Sequence, residues 1–68
     1  MLEAIRRIVE AKAARDVLPP IATSYEVWKE AGISLEEQRV MARRLMNKGF
    51  LVVGRTLNDI YYRLTDTY

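Results

Sequence analysis

Two helix-start signals stand close together in this chain, and they restrict its fold more than any other feature. Thr23-Ser24-Tyr25-Glu26 has the form of a capping box, in which a hydroxyl and the carboxylate that follows it satisfy orphan amides reciprocally. Ser34-Leu35-Glu36-Glu37 repeats the device. Between them lies Gly32, a residue free to take the left-handed conformation that ends a helix. The punctuation predicts a helix from Thr23 or Ser24 to Gly32 and a further helix from Leu35 that runs toward Gly49. Joined by Gly32-Ile33, the two make a tight helix-turn-helix.

The flanks extend this pattern. Leu2, Ile5, Ile8 and Val9 recur at helical spacing among good helix formers, which predicts an amphipathic helix over Leu2 to Ala14. Leu18-Pro19-Pro20 must stop it, because proline disfavours helical geometry in the residue ahead and lacks a backbone donor. Pro19-Pro20-Ile21 reads as a short extended connector. After Gly49 the period changes: Phe50 to Val53 is rich in β-formers, and Thr56-Leu57-Asn58-Asp59 offers turn chemistry. Ile60, Tyr62 and Leu64 then alternate with Tyr61, Arg63 and Thr65. This predicts a hairpin whose Ile60, Tyr62 and Leu64 face packs on the helices, since an isolated hairpin is marginal in water. Trp28, Met41 and Met46 are expected in the core with Tyr62 and Leu64, and Tyr61 faces outward.

With 68 residues the chain is one domain at most, and a domain this small buries only roughly 60% of the surface of its unfolded chain. That leaves little room for both a core and a deep substrate cavity. Cysteine and histidine are both absent. Disulfide frameworks, thiolate metal sites, zinc fingers, Ser-His triads and Cys-His dyads are therefore excluded. No paired acid/base constellation is visible and no cofactor or metal is expected, so an enzyme is disfavoured. The charged N-terminus has no apolar stretch of signal-peptide length, and Phe50-Leu51-Val52-Val53 is far too short to span a bilayer; the expectation is a cytoplasmic protein without a membrane partner.

The formal net charge of +2 says less than its distribution. Residues 16–37 carry Asp16, Glu26, Glu30, Glu36 and Glu37 against Lys29 alone. Residues 38–58 carry Arg39, Arg43, Arg44, Lys48 and Arg55 with no acid. The basic segment coincides with the last helix and the first hairpin strand.

The run Ser24-Tyr25-Glu26-Val27-Trp28-Lys29-Glu30-Ala31-Gly32-Ile33-Ser34, followed by Leu45-Met46-Asn47-Lys48-Gly49-Phe50, resembles winged helix-turn-helix regulators of the MarR and ArsR kind. The closing Tyr62-Arg63-Leu64-Thr65 is similar to the second wing strand of that superfamily. Trp28 departs from the pattern, because such regulators usually carry a small residue there. The resemblance implies an α+β, mainly α fold, three helices with a C-terminal β-hairpin wing, and binding of double-stranded DNA with the third helix (35–48) in the major groove and the wing (50–65) on the backbone or minor groove.

At about 100° per residue, Leu35, Gln38, Met41, Ala42 and Leu45 share one side of the third helix, and Glu36, Val40, Arg43 and Asn47 the other, flanked by Arg39 and Arg44. Arg43 and Asn47 can pair bidentately with guanine and adenine edges, and Val40 can meet a thymine methyl or form part of a protein interface. Arg39, Arg44 and Lys48 read as phosphate contacts, and Arg55, placed at the hairpin tip, as a wing contact to the backbone or minor groove. Ser34 and the amides that open the helix offer a further phosphate position, which Glu36 and Glu37 oppose. Five cations alone make a weak binder, so specific recognition calls for a homodimer or a larger protein partner, with the first helix or Tyr61 and Tyr68 as possible contacts. The expected function is a small sequence-specific DNA-binding protein, a transcriptional regulator or a phage or mobile-element accessory factor. The rival reading is a winged-helix protein-interaction module whose Arg39, Val40, Arg43 and Arg44 face docks an acidic partner.

Overall fold

The computed structural model describes residues 1–17 and 19–65; Leu18 and Tyr68, both named above, lie outside the described residues. The element order is α1 (Leu2–Ala14), β1 (Ala22–Thr23), α2 (Ser24–Ala31), α3 (Leu35–Asn47), β2 (Leu51–Arg55) and β3 (Ile60–Leu64). The α+β winged helix-turn-helix architecture expected from the sequence is present, with one addition. The wing is a three-stranded antiparallel sheet of order β1-β3-β2, because Ala22 and Thr23 pair with Tyr62 and Tyr61. A two-residue strand has no alternation to read, so it leaves no periodic signal in the sequence.

Each helix end has an identifiable cause. α1 stops before the prolines: Asp16 takes the left-handed conformation at φ 58°, its amide bonds to the Ala13 carbonyl, and the Val17 amide reaches back to Lys12 O at 2.8 Å. That is a Schellman termination with aspartate in the place usually held by glycine. α2 opens with the full capping box, Thr23 Oγ1 accepting from the Glu26 amide while Glu26 accepts from the Thr23 amide, and closes at Gly32 with φ 68°. α3 opens with half of the expected capping box: Ser34 Oγ accepts from the Glu37 amide at 3.3 Å, but the Glu37 carboxylate accepts from the Ser34 hydroxyl and not from its amide. Its end repeats the Schellman pattern, with Gly49 at φ 79° and Phe50 N–H donating to Leu45 O.

The core lies where α1, α2 and α3 meet the inner face of the sheet. Ile5, Ala22, Val27, Ala42, Leu51 and Tyr62 are buried, with Leu2, Ile8, Val9, Leu45, Val53, Ile60 and Leu64 packed against them. Trp28, Met41 and Met46 are not core residues: Trp28 is 53% exposed, Met46 46% and Met41 36%. Small residues, Ala4, Ala22 and Ala42, let the elements approach closely and leave the larger side chains outside. Leu35, also placed on the core side of α3 above, is exposed. Tyr61 does face outward from the helices but is half-buried, because its ring lies across Gly54 on the paired strand, where an added Cβ would stand 2.3 Å from it.

Candidate nucleic-acid interface

A buried polar network fixes α3 in place. Gln38 is buried, and its Nε2 donates to Ser24 O at 3.1 Å and to Ile33 O at 2.9 Å, binding α3 to the start of α2 and to the turn. Its Oε1 accepts from the Tyr62 hydroxyl at 2.8 Å, binding α3 to β3. Both amide donors and one acceptor site of its oxygen are used inside the protein. Burial pushes the Tyr62 phenol above the usual tyrosine range; the negative charge of Asp59 adds to the shift and Arg39 opposes it.

The wing is tied to the opening of α2 in the same way. The Asp59 carboxylate accepts from the Ser24 hydroxyl, from the Ile60 amide at 2.8 Å and from the Tyr25 amide at 3.4 Å. Burial alone would raise its pKa, but these hydrogen bonds outweigh it and hold the group below the usual carboxylate range. The turn closes through Thr56, whose amide bonds to Asp59 O at 2.8 Å.

Strand register decides where Arg55 goes. Leu51↔Leu64, Val53↔Tyr62 and Arg55↔Ile60 share the inner face, while Val52, Gly54, Tyr61 and Arg63 share the outer one. Arg55 is therefore not at the hairpin tip, which is formed by Leu57, 98% exposed; it ends β2 on the side toward α3. Arg39 and Arg43 of α3 face it across a groove of about 380 Å³ floored by Ala42, Val53, Ile60 and Tyr62, with Met46 at one wall.

The sequence-predicted site residues thus divide. Arg39, Arg43 and Arg55 are brought together in the α3-wing groove. Val40, Arg44 and Asn47 on the remaining surface of α3, and Lys48 at its C-cap, are exposed and line none of it. Ser34 is exposed but already occupied as the α3 cap, and it borders a different cleft, of about 690 Å³, with Tyr25, Trp28, Leu35 and Asn58. Among the described residues, none of the five cations of residues 38–58 has an ion-pair partner, whereas Lys12 pairs with Glu26 and the exposed Arg7 with Glu30.

The aromatic surface at that second cleft was not read from the sequence. Tyr25 and Trp28 are both more than half exposed, with ring centroids 5.9 Å apart, and Lys29 sits 5.5 Å from the Tyr25 ring centre. The one sequence signal for it was the departure of Trp28 from the regulator pattern.

Fold and groove together define a winged helix-turn-helix domain with a cationic cleft between its third helix and its wing. No protein-family model, curated protein or solved structure matches the chain. Among the described residues no helix is long and apolar enough to cross a membrane.

Proposed function

We propose that this protein binds double-stranded DNA sequence-specifically, as a small cytoplasmic regulator of the MarR and ArsR kind or a phage or mobile-element accessory factor. The observation that carries the reading is the convergence of Arg39, Arg43 and Arg55, from two separate elements, on one open groove with no carboxylate paired to any of them among the described residues. Cations left unpaired by their own protein repel one another, and a polyanion relieves that repulsion. With α3 in the major groove, the strand of phosphates beside it runs between helix and wing, within reach of Arg39 and Arg55, while Arg43 turns toward the bases. Val40, Arg43 and Asn47 then meet base edges, and Arg44 and Lys48 hold the backbone on the far flank.

The test is binding of a fluorescent duplex at low salt by the wild type and by Arg39→Glu and Arg43→Glu. Both residues are exposed, so the variants fold, and each weakens binding at least tenfold, the order expected when a cation on a phosphate or base becomes an anion. Unchanged affinity in both variants refutes the proposal.

A second reading, a protein-interaction module, draws on the exposed Tyr25, Trp28 and Leu35. Retention on neither heparin nor duplex DNA at low salt favours it.

A further inference from the structure

The adjacent acids Glu36 and Glu37 oppose an approach of DNA to the start of α3, and the structure separates them. Glu37 has a structural use: its amide donates to Ser34 Oγ at 3.3 Å, and its carboxylate lies 3.4 Å from the same hydroxyl. Glu36 is exposed, and its carboxylate makes no hydrogen bond or ion pair among the described residues. It stands in the first turn of α3, where a carboxylate is favoured by the helix dipole, but the Glu37 carboxylate already serves that end.

Its position on the helix is specific. Glu36, Val40, Arg43 and Asn47 follow one another at spacings of four, three and four residues, which makes a single ridge opposite the buried Gln38 and Ala42. At about 1.5 Å rise per residue the ridge is roughly 16 Å long, enough to face four or five base pairs at about 3.4 Å each. The remaining three members suit guanine, thymine and adenine. A carboxylate on such a ridge is an acceptor with no donor in its own protein, and the major-groove edge of cytosine presents a donor, the N4 amino group.

We infer that Glu36 reads a cytosine through its N4 amino group at the end of the recognition site first entered by α3. The inference rests on the DNA-binding reading given above and deepens it. It assigns the acid a discriminating role: Glu36 repels every phosphate equally and is compensated only where a cytosine donor meets it, so it lowers affinity for DNA in general while favouring one base.

Selection of bound sequences from a random duplex library, run in parallel with the wild type, Glu36→Ala and Glu37→Ala, tests it. The wild type is expected to enrich a cytosine at one edge position by about fivefold or more over other bases. Glu36→Ala is expected to lose that preference at that position alone, to keep the rest of the site, and to bind random duplex more tightly. Glu37→Ala is expected to keep the cytosine. A wild-type site that persists unchanged in Glu36→Ala overturns the inference and leaves DNA binding standing, as does loss of the cytosine in Glu37→Ala instead. A wild type that retains no duplex at low salt overturns both.

Discussion

The hydroxyl of Tyr62 in β3 donates a 2.8 Å hydrogen bond to Oε1 of Gln38 in α3, and both residues are buried. This bond joins the wing to the third helix from beneath, so the groove above it has a fixed floor. Tyr62→Phe leaves one buried acceptor unsatisfied and is expected to cost about 1–3 kcal/mol. Gln38→Leu removes the partner of the Tyr62 hydroxyl and the side-chain bonds to the carbonyls of Ser24 and Ile33 together, and should cost more. In a double-mutant cycle measured by urea unfolding, the two changes are expected to couple by at least ~0.5 kcal/mol; strict additivity would show that the bond contributes nothing.

Acid stability should depend on Glu26. Burial raises its pKa, but hydrogen bonds from Lys12 and from the Thr23 amide and hydroxyl, with the charge of Lys12, outweigh that and leave it lowered. A carboxylate whose folded pKa lies below its unfolded value adds stability that is complete above the unfolded pKa and is lost as pH falls through the folded one. Asp59 has the same sign. The urea midpoint is therefore expected to hold from neutrality to about pH 5 and to decline below the ordinary carboxylate range near pH 4. Glu26→Gln should lower the neutral midpoint and make the acid decline shallower. An equally steep decline in that variant would contradict the role given to Glu26.

Trp28 is the sole tryptophan, so its fluorescence reports its own surroundings. At 53% exposure it is expected to emit as a solvent-facing indole and to be quenched by iodide in the native state almost as efficiently as in urea. Protection from iodide in the folded protein would place it in a core or an interface.

Trp28 also shows where the sequence stopped being legible. The bounds of α1 and the capping box of α2 were readable, because they depend on residues close in sequence whose backbone chemistry is local, whereas only half of the box expected at α3 forms. Burial of Trp28, Met41 and Met46 was expected from residue type and helical spacing, and it failed because burial depends on which neighbour arrives. Ala22, Ala42 and Gln38 fill the space at the contact instead. The cause of the α1 stop differs as well: Asp16, not Pro19, turns the chain. In the candidate site, the basic segment was evident, but the meeting of Arg55 with Arg39 and Arg43 was not. It depends on strand register, and a shift by one residue would have turned Arg55 to the opposite face. The capping-box spacing already pointed to Glu37 as the partner of Ser34, but that the Glu36 carboxylate is left without one depends on the folded surroundings.

The most direct test of DNA binding by α3 and the wing is the salt dependence of affinity for a duplex. With Arg39, Arg44, Lys48 and Arg55 on phosphates and Arg43 on a base edge, log K is expected to fall with log salt at a slope of about −3.6, near 0.9 per phosphate. Arg55→Ala should flatten the slope by about one while the fold stays intact. A slope near zero, or one unmoved by Arg55→Ala and Arg39→Ala alike, would contradict a DNA-binding role for the groove.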